Sequence, residues 1–191
     1  MKATQTGSLN PLTSKYGKCR ITFGKDYYGE ETTSSLRTIV FDNLPDISDT
    51  KSTVYNNEGV IGRSLPLYTY SHSGDRNINI QMHFFVVDEA DEWRNLHNLR
   101  LIQSAAYPQK GDGQLPYKPP QICKIRCGEL LAAEGEPICA ALQSYSVRFP
   151  TEVAWSEDNF CPYRFDVDTS WLVVYSSEDL PYSSRIIWEG R

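Results

Sequence analysis

From Tyr163 to Tyr175 the chain sets Tyr163, Phe165, Val167, Thr169, Trp171, Val173 and Tyr175 against Arg164, Asp166, Asp168 and Ser170 at every second position. A helix would scatter those apolar residues around its circumference, whereas a strand sends alternate side chains to opposite faces. One face therefore belongs to a core and the other to water, until Leu172 and Val174 make both faces apolar. A second segment, Asn77 to Phe85, repeats the pattern: Ile78, Ile80, Met82 and Phe84 alternate with Asn77, Asn79, Gln81 and His83. Strands need partners, so a chain carrying both segments must fold around a sheet. Twelve Tyr, four Trp and an apolar fraction of 40% suit half-buried strands better than a helical bundle.

Shorter strands are expected at Cys19–Phe23, Arg37–Phe41, Thr53–Tyr55 and Leu67–Tyr70, with a turn over Ser71–Gly74 before the strand that begins at Asn77. Asp88 opens a helix with Glu89, Asp91 and Glu92 in its first turn, where negative charge suits the helix dipole. Trp93, Leu96, Leu99, Ile102 and Ala106 form its expected apolar stripe, with Arg94, Asn95, Asn98 and Gln103 facing away, and Pro108 ends it. Gln109–Pro120 reads as an exposed loop, Ile122–Cys127 as a strand, and Ile138–Phe149 as a strand whose inward residues change register midway, as a β-bulge requires. The fold class expected is mostly β (α+β) with one packed helix. Residues 1–16, polar and without apolar period, form a flexible arm, and residues 17–191 form a single domain, which at this length buries about 70% of its unfolded surface.

A net charge of −5 with no basic cluster disfavours tight binding to nucleic-acid phosphate. No run of about 18 apolar residues and no cleavable leader pattern is present, so no membrane span or secretion signal is expected. Cys19, Cys123, Cys127, Cys139 and Cys161 are odd in number and scattered, which predicts free thiols. Along a strand Cys123 and Cys127 stand about 13 Å apart, too far for one zinc with bonds of about 2.3 Å or for a disulfide.

None of the short motifs that carry nucleophilic, metal-hydrolytic or nucleotide chemistry occurs, so no catalytic residue, metal ligand or cofactor is assigned. His72 falls in the expected turn, His83 on the polar face of a strand and His97 on the helix. Asp166 and Asp168 share one strand face and read as solvated polar residues rather than a glycosidase pair. Most aromatic residues fall at inward positions, so a core role outweighs a sugar-stacking platform, although a monomeric carbohydrate-binding β-sandwich is the alternative function.

Between residues 53 and 107 the pattern becomes specific. Ile61-Gly62-Arg63-Ser64-Leu65-Pro66-Leu67-Tyr68 is followed by Gly74-Asp75-Arg76, the strand Asn77–Phe85, and a helix ending Leu101-Ile102-Gln103-Ser104-Ala105-Ala106-Tyr107-Pro108. Together with Tyr117-Lys118-Pro119-Pro120, Ile125-Arg126-Cys127-Gly128 and Pro162-Tyr163-Arg164-Phe165-Asp166-Val167, this order resembles the tail-tube and tube-initiator proteins of contractile phage tails, nearest their baseplate hub-connector branch. Coverage is about residues 36–178. The resemblance implies a β-barrel or sandwich with one external helix and self-association into a six-membered ring. It implies as partners a tail tube protein, baseplate hub and spike proteins and a tape-measure protein, at the tail baseplate of a virion assembled in the host cytoplasm. It marks Gly62, Arg63, Gly74 and Arg76, with Asp166 and Asp168, as interface or structural candidates. The two alternating strands would be edges and faces that neighbouring copies complete, and six copies would carry a charge of about −30, which repels DNA phosphate. The family's small peptidoglycan-binding module has no room before Arg191, so direct cell-wall binding is not expected.

Overall fold

The alternation from Tyr163 becomes strand β9 (Arg164–Val173), and the inward residues Phe165, Val167, Thr169, Trp171 and Val173 are all buried. Their neighbours come from β4 (Leu67–Phe85), whose Ile78, Ile80, Met82 and Phe84 stand opposite Trp171, Thr169, Val167 and Phe165. The one polar member of this layer is satisfied internally. Thr169 Oγ1 donates to Ile80 O at 2.9 Å, and Trp171 Nε1 donates to Thr169 Oγ1 at 2.8 Å, which removes the cost of burying both groups.

In the computed structural model the described residues are 19–24, 37–41, 43–59, 61–62, 64–111, 116–128, 130–132, 137–158 and 160–174. The remaining elements are β1 (Arg20–Phe23), β2 (Thr38–Val40), β3 (Asp46–Glu58), α1 (Glu89–Ala106), the short pair β5 (Gln109–Lys110) and β6 (Tyr117–Lys118), β7 (Ile122–Arg126) and β8 (Ile138–Arg148). Seven strands make one antiparallel sheet in the order β2-β1-β7-β8-β9-β4-β3. The protein is mostly β with a single helix among the described residues. The expected N-terminal arm, residues 1–16, lies outside them.

The sheet cannot be flat. Its two edge strands are joined by residues 41–45 alone, and that connection spans at most about 21 Å, whereas six gaps between flat strands would require about 29 Å. The sheet therefore rolls until its edges approach. Val40, Phe41 and Asn43 from the β2 side line one small cavity together with His83, Phe84 and Phe85 of β4. The core fills the inside of this roll, with Ile21, Phe23, Ile39, Cys123 and Ile125 from one half meeting the β4–β9 layer from the other.

Helix α1 starts where its acidic residues predict. The Asp91 carboxylate accepts the N–H groups of Val87 and Asp88, both at 3.2 Å, satisfying two donors that the approach to a helix leaves free. Those bonds, that to Asp88 first, hold the Asp91 carboxyl below its usual range. The buried face differs from the expected stripe: Glu92, Asn95, Asn98, Leu99, Ile102 and Ala105 point inward, while Trp93 is 61% exposed. Of the polar residues on that face, Asn95 is satisfied by donating its Nδ2 to Phe85 O at 2.8 Å.

Four further expectations change. The strand at Thr53–Tyr55 is the middle of the much longer β3, and no turn interrupts β4 at Ser71–Gly74, so His72 lies on a strand. The alternating segments are not sheet edges, since β9 pairs with β8 and β4, and β4 with β9 and β3; the edges are β2 and β3. Gln109–Pro120 contains the β5–β6 pair. The register change in β8 is present, between Leu142 and Ser144.

Candidate functional site

Beyond Asn77, β4 loses β9 as a neighbour and continues paired with β3 alone. From Thr53–Glu58 opposite Leu67–Ser73 the two strands form a projecting hairpin, about 20 Å long at strand rise. Every residue of β3 from Ser48 and of β4 up to Ser73 is exposed, on both faces. A two-stranded ribbon wet on both sides has no core of its own and is marginal in water. Its residues are nonetheless not uniformly polar. Tyr55, Tyr68 and Tyr70 are 58%, 64% and 61% exposed, and Val54, Leu67, Ile61 and Leu65 are exposed beside or beyond them.

Pairing explains how the tyrosines meet. Tyr55 stands opposite Tyr70 and Asn57 opposite Tyr68, which puts all three rings on one face because residues two apart on a strand share a face. Tyr55 and Tyr70 pack edge to face with ring centroids 6.1 Å apart. Large amphipathic rings with few rotatable bonds give contact area at low entropic cost, the composition that binding surfaces favour. Strand alternation places most aromatic residues in the core. That holds for Phe23, Phe84, Phe165 and Trp171 but not for these tyrosines, Trp93, Phe160 or Tyr117. A Tyr-x-Tyr beside unusually polar neighbours was the available signal.

Gly62 lies in the turn at the tip with φ +91° and open space where a side chain would go. Its requirement is conformational, since an L-residue there is strained. Gly62→Val is expected to cost the ribbon about 1–2 kcal/mol. Amide exchange should quicken in Thr53–Glu58 and Leu67–His72 while the global unfolding midpoint stays put; an unchanged exchange pattern would remove the turn from the account. Arg63 lies outside the described residues. Gly74 has a different reason to lack a side chain: a Cβ would overlap Ser52 Oγ and stand 3.3 Å from Ser52 O, where the β3–β4 register shifts.

Arg76 marks the base of the ribbon and is the point where it enters the core. Its guanidinium, 5% exposed, is gripped by Asp49 from the partner strand, with Nε at 3.0 and 3.1 Å from the two carboxylate oxygens and Nη2 closing the fork. Nη2 also donates to Leu131 O at 2.7 Å. The bridge fastens β3 to β4 where the protein's cover ends.

Asp166 and Asp168 lie elsewhere, on the outer face of the sheet, and differ from each other. Asp166 accepts a hydrogen bond from His83 Nδ1 at 2.6 Å across the β4–β9 pair, with Arg164 Nε 3.8 Å away and Asp46 3.8 Å from the other His83 ring nitrogen. Asp168 is exposed and lines an open trough of 560 Å3 with Asp46, Gln81, Ser144, Ser146 and Ser170. Asp166→Asn is therefore expected to lower stability by about 1–2 kcal/mol and Asp168→Asn by no more than about 0.5 kcal/mol in urea unfolding. Equal effects would contradict this division. The candidate residues thus occupy three places, the tip, the base of the ribbon and the outer sheet face, and do not converge on one centre.

No protein-family model matches the chain, and no curated protein matches it. Among solved structures it is similar to a chain in the tail of an empty GTA particle refined with helical, C6 symmetry, at 10% identity and TM-score 0.36 over 83% of this chain and 92% of that one. It is also similar to a chain of the sheath–tube complex of an extracellular contractile injection system, PVC, in its extended state, at 14% identity and TM-score 0.33 over 89% and 96%. These scores are too low to transfer a role, so the functional reading rests on the chain's own geometry and residues.

Proposed function

We propose that this chain is a structural subunit of a contractile tail or injection system, acting at the junction of tube and baseplate hub and starting tube growth through its interfaces. The observation that carries the reading is the projecting β3–β4 ribbon, exposed on both faces, anchored by a half-buried ion pair and faced with three tyrosines. Such an element is costly to expose and useful only when another chain covers it. Self-association into a ring, with the ribbon reaching a neighbouring copy, supplies that cover, and the sequence resemblance over residues 36–178 supports the same assignment.

The clustered tyrosines also suit the rival reading, a monomeric carbohydrate-binding module, because exposed rings stack on sugars. Light scattering on the purified chain, negative-stain imaging and a glycan-binding assay separate the two. Rings, or incorporation of a labelled chain at the tube–hub junction of assembled tails, are the expected result. A stable monomer with measurable glycan affinity would replace the tube reading by the rival one.

A further inference from the structure

Strands β1 and β7 pair with Arg20 opposite Arg126 and Ile21 opposite Ile125. Continuing that register outward by one residue sets Cys19 opposite Cys127. Both lie two residues from fully buried isoleucines, so both point to the core face, and they are 9% and 1% exposed. Residues directly opposite in an antiparallel pair have Cα atoms about 4.5–5.5 Å apart, inside the span of about 4.4–6.8 Å that a disulfide accepts. The backbone at each cysteine is pinned, with Phe41 N–H donating to Cys19 O at 3.0 Å and Leu130 N–H donating to Cys127 O at 3.1 Å.

We infer that Cys19 and Cys127 form a dithiol poised to close into an internal disulfide when the protein meets a small-molecule disulfide such as glutathione disulfide. None of the other cysteines has this placement. Cys123 shares the core face but pairs with Phe23, and burial pushes its thiol up to about 12. Cys139 is exposed and opposite Lys124. The pair is also chemically unequal: the two thiols hydrogen-bond each other, which lowers the Cys19 pKa and raises that of Cys127. The thiolate is the attacking form, and Cys19 is both the more acidic and the more exposed of the two.

The reaction balances as two exchanges. Cys19 thiolate attacks one sulfur of the glutathione disulfide and forms a mixed disulfide, expelling one glutathione thiolate. Cys127, giving its proton to solvent or to that leaving thiolate, then attacks Cys19 Sγ and expels the second. The protein loses two electrons and two protons, and the reagent gains them as two thiols. The product ties β1 to β7 at the N-terminal end of β1. It fastens the edge that β2 holds with three residue pairs. This inference stands apart from the tube reading and needs no partner.

The test uses the full-length reduced protein, folded, incubated with glutathione disulfide, then denatured, alkylated and mapped by mass spectrometry. One internal bond joining the Cys19 and Cys127 peptides is expected. Three alkylated cysteines should remain, the mass should fall by two hydrogens, and the thermal midpoint should rise and return on reduction. Cys127→Ser should leave Cys19 carrying glutathione, Cys19→Ser should leave Cys127 as a free thiol, and Cys123→Ala should not change the bond. Should the Cys127 variant fail to fold, the Cys19 and Cys123 variants still decide the matter. Retention of all five thiols, a stable glutathione adduct on the unaltered chain, or a bond involving Cys123, Cys139 or Cys161 would overturn the inference.

Discussion

Asp49→Ala is expected to lower folding stability by about 3 kcal/mol, among the largest effects of any single charge removal in this protein. The size follows from what stays behind. Arg76 keeps its charge at any pH at which the fold survives, and its side chain is 5% exposed, so losing Asp49 removes the carboxylate that Nε and Nη2 both meet. The effect should sit at the lower end of the range for broken buried pairs because Asp49 itself is 33% exposed and lets water approach. Removing both charges at once is a different experiment. Asp49→Leu with Arg76→Met replaces the pair by apolar groups of similar volume and should recover most of the loss. Urea unfolding of the single and double variants measures both terms. A loss below about 1 kcal/mol for Asp49→Ala would mean that solvent, not the carboxylate, balances Arg76.

Replacing Tyr55, Tyr68 and Tyr70 together by Ser should leave the unfolding midpoint of the body almost unmoved and weaken assembly by about 1,000-fold or more. Exposed side chains remote from the core change stability by within about 0.5 kcal/mol each. At an interface, by contrast, truncation of a central tyrosine costs about 2 kcal/mol, and two such losses already amount to about three powers of ten. Sedimentation velocity across a concentration series, or the amount of chain incorporated into tail particles, reads the difference. Undiminished incorporation would show that the tyrosine face is not the contact, whatever the ribbon does.

Much of the body can be read directly from the residues. The alternations that became β9 and the inner half of β4 are unambiguous because one face is dry and the other wet, and period two is the direct trace of that asymmetry. Helix α1 is equally visible in its ends, from Asp88 to Pro108, yet its buried face is misread. Trp93 attracts the eye as an apolar anchor, while Glu92, Asn95 and Asn98 are buried, Asn95 through a bond to Phe85 O that no local pattern announces. The outer ribbon leaves no alternation because both its faces meet water, so Asp46–Ser52 and Ser71–Gly74 look like loop. The Arg76–Asp49 bridge joins residues 27 apart and exists only in the β3–β4 register. Gly74 and Arg76 stood out as a motif, but their physical roles, clearance for Ser52 and the anchor of the ribbon, needed the pairing to be known.

Strand β4 runs unbroken from Leu67 to Phe85, with register shifts against β3 between Arg76 and Ser73 and between His72 and Tyr70, so the piece that projects and the piece that sits amid the core share one strand. A pull along the tip therefore reaches the body parallel to the strand, loading its nine residue pairs with β9 together in shear instead of unzipping them one after another. Traction on this chain would be met by collective resistance at a layer of the core, a mechanical grade of attachment that a flexible tether of equal reach could not provide.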